Sequence, residues 1–411
     1  MVDCCSAPGL LPFEQALKNM LGVIKPITDV EQITLDKALG RILASDIKSP
    51  VNVPPNDNSA MDGYACSYQS LLSKNTLKLV GRSMAGAPFQ GECNLGECVR
   101  IMTGAKIPDD CDTVEMQENC QAEGESITFL SDRKLADNVR LKGEDIAIDQ
   151  TVFLSGRELT SVDIGVLASL GVNEINVYRQ LKVALISTGD ELKKPGEMLN
   201  EGDIYESNSQ FLTGILTKLG AEIINFGIIE DVEKSIFNAF AKADELADVV
   251  ISSGGVSVGD ADYTKTVLEQ LGEIEFWKIA MKPGKPFAFG TLPNSYFFGL
   301  PGNPVSALVT AHQLALPALL KLQNGTDKKT LLLSAKTTTS LKKSPGRMDF
   351  QRGVIENDAN GELVVTSTGS QGSGILTSMS AANCYIVLSS EQGKVEKGQW
   401  VKVQLFDKYL Q

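Results

Sequence analysis

Histidine is almost missing from this chain: its 411 residues include one, His312. That count excludes multi-histidine zinc centres, and a histidine triad would have to rest on that one residue. His312 falls within an apolar helical stretch, which points to packing. Metal-type CxxC pairs are also missing. Cys4 and Cys5 are adjacent, while Cys66, Cys93, Cys98, Cys111, Cys120 and Cys384 are scattered. A disulfide framework is not expected at this length, so free thiols and a cytoplasmic location are. No run approaches the roughly 20 apolar residues that span a bilayer. The opening Met-Val-Asp-Cys-Cys shows no positive segment followed by an apolar one, so neither a membrane nor a secretory signal is expected. Positive charge is in deficit, with 38 Lys and Arg against 51 Asp and Glu and a net charge of −13. That balance argues against bulk nucleic-acid binding. It leaves room for a small anion, because a local lysine cluster can set the field in a cleft.

What is present is a hydrophobic content of 43%, ample for sizeable cores, in a length that suggests about three domains. Pro12 opens an amphipathic helix carrying Phe13, Ala16, Leu17, Met20 and Leu21 on one side. Residues 24–47 mix an extended piece with a short helix ending near Gly40. A proline-stiffened approach leads to Asp57-Asn-Ser-Ala-Met-Asp-Gly-Tyr64. Asp62 before Gly63 reads equally as an ordinary turn aspartate. Residues 66–146 look β-rich, with strands expected at 77–80, 97–102, 113–117 and 126–129. A helix over 161–170 leads back out. This pattern predicts an elongated N-terminal domain, residues 1–50 and 147–181, holding an inserted β-rich module, residues 51–146.

Residues 182–326 alternate strand and helix, which predicts a mostly parallel sheet covered on both faces, a three-layer α/β domain. The helical stretch 303–322 is expected to kink or break at Pro317. Ligands of such sheets bind beyond the carboxyl ends of the strands. Four polar turns fall there: Ser187-Thr-Gly-Asp-Glu191, Glu230-Asp231, the glycine turn 252–260, and Gly299-Leu-Pro-Gly-Asn-Pro-Val-Ser306. Residues 327–411 return to β pattern and predict a small C-terminal β-barrel domain.

The stretch 248–286 concentrates the chemistry. Strand, glycine turn and helix expose backbone N–H groups to an anion. Asp260 and Asp262 would repel an anion unless a divalent cation lies between. Lys278, Lys282 and Lys285 follow with compact positive charge. Together they suggest a phosphate-and-metal site; the bland alternative is an aspartate helix cap with solvated lysines.

With these pieces in place the chain resembles the molybdopterin molybdenumtransferases, bacterial molybdenum-cofactor enzymes related to the C-terminal domain of gephyrin. Seven ordered motifs carry the resemblance: Asp57 to Tyr64, Arg100-Ile-Met-Thr-Gly104, Ser187 to Glu191, Ser252-Ser-Gly-Gly-Val-Ser-Val-Gly259, Lys282-Pro-Gly-Lys-Pro286, Gly299-Leu-Pro-Gly-Asn-Pro304 and Phe350-Gln-Arg-Gly353. One departure is visible: Lys142 stands where the family usually has arginine before Gly-Glu-Asp, which keeps charge and loses a bidentate contact.

The resemblance implies that adenylylated molybdopterin and molybdate enter, AMP leaves, and the dithiolene takes up molybdenum, in a Mg²⁺-dependent homodimer. It implies Asp231 and Asp262 as metal-side carboxylates, with Glu191 beside them. Lys282, Lys285, Arg352 and Ser373 resemble the molybdate pocket. Gly254, Gly255 and Ser257 would cradle the pterin phosphate through N–H and hydroxyl groups. Lys278 would add charge, Thr188 would contact substrate, and Pro301 and Asn303 would shape the wall. Asp62, Thr103 and Asp145 belong to the module that the family places over the site, and Asp62 is expected to complete the partner subunit's site. The molybdopterin adenylyltransferase is an implied partner. Two other functions remain open at this point: that adenylyltransferase activity itself, and a non-enzymatic gephyrin-like scaffold.

Overall fold

The structure is a computed structural model that describes residues 9–254, 263–325 and 330–411. Contacts divide the chain into two compact units. One comprises residues up to 31, 40–42 and 178–411; the other comprises residues 32–39 and 43–177.

The larger unit is built on a six-stranded sheet. Its order is Glu222–Ile229, Lys182–Thr188, Val249–Ser253, Tyr296–Leu300, Pro286–Thr291 and Glu273–Lys278. The first four strands are parallel and the last two antiparallel. The parallel part follows from the alternation with the helices Asn208–Leu219 and Glu233–Leu246, whose buried faces cover opposite sides. Lys182–Thr188 lies between the strand that follows it and the one after that, so the chain order reverses beside it. This is the topological switch point at which open α/β sheets bind ligands.

Helix Phe13–Val23, which the sequence placed with the N-terminal flank, belongs to this unit and buries Ala16 and Met20 in its core. The stretch expected to kink or break at Pro317 stays helical, with its regular α-geometry interrupted just before the proline. It runs as α-helix Pro304–Thr310, a π-helical segment Ala311–Ala315 and α-helix Leu316–Leu322. Pro317 has no N–H for the carbonyl four residues back, and the widened turn just before it accommodates the ring. By length and composition this stretch could cross a bilayer, but 83% of it is buried inside the protein, as in a core helix.

The C-terminal barrel closes with five strands: Met348–Asn357, Leu363–Ser367, Leu332–Thr337, Trp400–Leu405 and Cys384–Leu388, which returns to pair with Met348–Asn357. Gly353 is the corner, pairing with both Ser367 and Cys384. A Cβ there would come within 2.9 Å of Ile386 and 3.0 Å of Val365, so the glycine lets the strand turn between two partners. The two-residue strand Met281–Lys282 adds to the barrel sheet beside Met348 and Asp349.

The smaller unit carries a six-stranded, mainly antiparallel sheet: Thr113–Met116, Gly63–Cys66, Glu97–Ile101, Thr76–Ser83, Ser126–Phe129 and Cys120–Glu123. Alternating side chains bury two cores, one containing Ala65, Val99 and Ile101, the other Tyr64, Cys66 and Cys98. Gly63 is required by close strand approach, because a Cβ would sit 1.8 Å from the Glu115 carbonyl. A third core gathers around helix Ser161–Ser169, which Thr160 and Asp163 start with a reciprocal capping box.

In the larger unit Arg179 grips Asp248 with two N–H donors at 2.7 and 2.8 Å and reaches Asp29 at 2.8 Å. Asp248 is the residue before the central strand Val249–Ser253 and also accepts the Lys182 N–H at 2.8 Å. Burial raises the Asp248 pKa, but the Arg179 and Lys182 bonds prevail and hold it below its ordinary value. Arg179→Ala should therefore destabilise the protein by about 2 kcal/mol. A depressed carboxylate stabilises fully above its unfolded pKa, and that stability is lost as pH falls through the lower folded value. Urea unfolding from neutral pH down through the acid range should show wild type losing this increment and the variant lacking it.

Candidate functional site

The carboxyl ends of the four parallel strands share one edge: Thr188 aligns with Ile229, Ser187 with Ser253, and Ser253 with Leu300. Three of the four predicted turns are brought together there, and the fourth begins there at Ser252, Ser253 and Gly254. Gly255, Ser257 and Asp262 lie outside the described residues. Gly254 has φ +92°, and a Cβ on it would meet the Thr188 carbonyl at 2.6 Å. Glycine is needed for both reasons. Its N–H donates to the Leu300 carbonyl at 3.1 Å, so the N–H expected from sequence to meet a phosphate is engaged within the protein, and the glycine serves the close approach of two backbones.

Beside it the Oγ atoms of Thr188 and Ser252 are buried without a hydrogen-bond partner among the described residues. Buried hydroxyls are ordinarily paired, so a polar ligand at this crevice would complete them. Asn208 closes the floor, donating to Ser253 Oγ at 2.7 Å and to the Gly302 carbonyl at 2.8 Å. Pro301 is buried in the wall, and Asn303, exposed, precedes the first turn of helix Pro304–Thr310. Asp231 donates its N–H to Asp190 Oδ1 at 3.2 Å, and the Glu191 carboxylate folds over Gly189. The acidic turns after two neighbouring strands thus meet. They offer oxygen donors alone, the set that Mg²⁺ prefers, although no cluster of three or more metal-ligating side chains forms among the described residues.

A second group of polar side chains lies where the barrel meets the α/β domain. In strand Met348–Asn357 alternate side chains send Phe350 and Arg352 to one side and Ile355 into the barrel core. Arg352 is 1% exposed. It donates from Nε to Ser378 Oγ and from Nη2 to the Gly372 carbonyl, each at 3.0 Å, and forms no ion pair among the described residues. Burial pushes its pKa down, yet a guanidinium stays charged at neutral pH. The next residue, Ser373, accepts the Val305 N–H at 3.0 Å, which joins this loop to the helix beside Asn303. Lys282 lies across from Asp349 in the barrel sheet. Gly284, at φ +103°, lets the Lys282–Lys285 turn press on Thr310. Lys278, Lys282 and Lys285 are exposed and unpaired among the described residues.

Sequence reasoning missed Asn208, Gln371, Ser378 and Lys343. Gln371 accepts the Arg352 N–H at 2.8 Å. Lys343 is buried and donates to the carbonyls of Ser344 and Arg347 at 2.8 and 2.6 Å. Burial, then the neighbouring Arg347 and Lys282 charges, lower its pKa. The run Lys342-Lys343 was a visible signal; the uncharged groups carried none.

In the smaller unit Asp62 and Thr103 are brought together. Asp62 Oδ1 accepts the Thr103 N–H at 2.7 Å and its hydroxyl at 2.8 Å. These bonds, the backbone one foremost, hold the carboxyl below its ordinary pKa. Arg100 lies over Tyr64 and donates to the Gly63 carbonyl at 2.7 Å, fixing the turn from beneath. Asp145 is exposed, with its N–H on the Val53 carbonyl at 3.1 Å. Lys142 donates its N–H to Asp57 Oδ1 at 2.7 Å. The lone His312 is buried, 3.1 Å from Asp407 and against Tyr385, in keeping with a packing position.

Such an architecture defines a class: an α/β ligand-binding domain with an anion-friendly strand edge, joined to a five-stranded barrel. Residues 11–171 match the family described as MoeA N-terminal region (domain I and II), residues 184–321 the probable molybdopterin binding domain, and residues 334–406 the MoeA C-terminal region (domain IV). A molybdopterin molybdenumtransferase from Haemophilus influenzae is 47% identical over 98% of this chain and 100% of its own length. Gephyrin from Dictyostelium discoideum is 32% identical over 97% of this chain, which spans 63% of that protein. The crystal structure of the molybdopterin biosynthesis moeA protein from Pyrococcus horikoshii OT3 superposes with a TM-score of 0.84 at 29% identity, covering 97% of this chain and 100% of that one. The chain belongs to the molybdopterin molybdenumtransferase family.

Thr103→Val should raise the Asp62 pKa toward its ordinary value, because one of the two bonds to the ionised form is lost while the backbone bond remains. NMR titration of the Asp62 carboxyl carbon measures this; an unchanged midpoint would mean that the hydroxyl bond does not hold the charge.

Proposed function

We propose that this transferase of molybdenum-cofactor biosynthesis takes adenylylated molybdopterin and molybdate, inserts the metal into the dithiolene and releases AMP. The observation that carries this reading is the buried, unpaired cation Arg352 beside a lysine turn, one loop away from the switch-point crevice. The two places suit two different ligands. The crevice, with the hydroxyls of Thr188 and Ser252, unbonded among the described residues, and the wall at Pro301 and Asn303, suits the pterin phosphate. The seam, with Arg352, Lys282, Lys285 and Ser373, suits a tetrahedral dianion.

Cleavage of the pyrophosphate builds negative charge on phosphoryl oxygens, and Lys278 and Lys282 would stabilise it. Asp231 and Glu191, with Asp262 outside the described residues, would hold Mg²⁺, which when bound neutralises charge on the phosphate oxygens. The crevice walls orient the pterin, and the exposed lysines meet the anions without the cost of breaking an existing ion pair. The molybdopterin adenylyltransferase is the proposed donor of the substrate. The cytoplasm is the proposed compartment, in line with the free thiols of the six described cysteines. The scaffold reading, suggested by the likeness to gephyrin, gives no reason for an unpaired cation at the seam.

Lys285→Ala tests the division into two ligands. Lys285 is exposed, so its removal should leave the fold intact. It should raise the molybdate concentration required by about tenfold, the loss of one charge-assisted bond, with a smaller effect on the adenylylated pterin. Isothermal titration with each ligand measures both; equal losses would merge the two pockets.

The working form is proposed to be a homodimer in which Asp62 of one protomer completes the site of its partner. Asp62→Asn and Asp262→Asn homodimers should each be nearly inactive. A mixed dimer would hold one doubly altered site and one intact site. Random co-expression should then restore about a quarter of activity. Purified mixed dimers no more active than the parents would assign Asp62 to its own chain.

A further inference from the structure

Arg352 sits where strand Met348–Asn357 passes from one partner to another. On one side it pairs with Tyr385; on the other, strand Leu363–Ser367 has just ended, opposite Gly353. Thr368 still donates its N–H to the Arg352 carbonyl at 3.1 Å, as a strand neighbour would. The Arg352 N–H goes instead to a side chain, Oε1 of Gln371, at 2.8 Å. Nε2 of the same amide returns to the Arg352 carbonyl at 3.1 Å. One side-chain amide thus meets both backbone groups of Arg352. Its Nε2 also lies 3.1 Å from Ser367 Oγ and 3.3 Å from the Gly369 carbonyl, which ties the loop back to its own start. The next residue, Gly372, accepts from the Arg352 guanidinium at 3.0 Å. The one after, Ser373, takes the Val305 N–H on its carbonyl at 3.0 Å.

We propose that Gln371 is a positioning residue for molybdate: it holds loop 368–374 in the one shape that presents the Arg352 guanidinium and Ser373 together. The proposal rests on reading the seam as the molybdate site. The loop has little stiffness of its own, because Gly369, Gly372 and Gly374 are three of its seven residues. Gln371 is only half-buried and belongs to none of the hydrophobic cores, so its place is explained by its bonds rather than by packing. Those bonds call for a primary amide, which carries an acceptor and a donor at one end and no charge. Glutamate keeps the acceptor, loses the donor and turns a carboxylate toward the Arg352 carbonyl. Leucine keeps the approximate shape and makes neither bond. Gln371 acts through Arg352 and Ser373, so its loss should weaken molybdate and spare the pterin.

The test uses the full chain and compares Gln371→Leu, Gln371→Glu and Lys285→Ala with wild type in the complete reaction. Gln371→Leu should raise the molybdate concentration at half-maximal rate roughly tenfold, the worth of one or two neutral hydrogen bonds. The rate at saturating molybdate and the KM for the adenylylated pterin should stay close to wild type. Gln371→Glu should weaken molybdate at least as much. Hydrogen exchange read by mass spectrometry should be faster over 368–374 in both variants, with the urea midpoint unchanged. A merely structural role would lower the urea midpoint and the saturated rate and leave the molybdate KM alone. In wild type, saturating molybdate should slow exchange over 368–374; this measurement needs no variant, and its failure would overturn the proposal. A raised molybdate requirement in Lys285→Ala with none in Gln371→Leu, or a Gln371→Glu variant equal to wild type, would overturn the positioning role alone. An unchanged requirement in all three variants would overturn the reading of the seam, and this proposal with it.

Discussion

A guanidinium sealed from water, with no carboxylate bonded to it among the described residues, is the constraint around which the seam of the larger unit is arranged. Isolated buried charge is costly, and the protein offsets it with neutral acceptors: the Ser378 hydroxyl and the Gly372 carbonyl on the side chain, and the Gln371 amide on the backbone. A carboxylate at any of these places would satisfy Arg352 fully and cancel its field. Neutral acceptors hold the group in position and leave its charge for something else. The corner at Gly353 and the short strand Met281–Lys282 then bring the lysine turn to the same strand.

The α/β edge follows a similar economy. Thr188 and Ser252 carry hydroxyls that find no partner among the described residues, and Gly254 gives up its side chain so that the backbones of two strand ends can approach. Asn208 completes the floor from a helix N-terminus rather than from a strand. The acidic turns after Thr188 and Ile229 meet through Asp190 and Asp231, on the side of the crevice away from the strand Tyr296–Leu300.

In the smaller unit, fixing a side chain is again done by short-range bonds. Asp62 is tied to Thr103 through both backbone and side chain, and Arg100 braces the turn from a neighbouring strand. The strand carrying Arg100 also separates two pairs of cysteines onto opposite faces.

Much of this was legible in the sequence. Alternation and period fixed most strands and helices to within a residue or two, as at Ser126–Phe129 and Ser161–Ser169, because local backbone preference and the burial face speak together there. The four polar turns were legible as one edge, since a parallel sheet forces its loops to a common end. The motif residues were legible as chemistry because charge and glycine are conspicuous. What the sequence did not contain was which of these groups are satisfied. Arg352 was legible as a molybdate-pocket residue through the resemblance alone, and its burial at the seam was not legible at all. The Gly254 N–H read as free until Leu300 was found to accept it. Asn208, Gln371 and Ser378 read as ordinary polar residues. Burial and hydrogen-bond partnership depend on segments distant in the chain, and only tertiary packing brings those segments together.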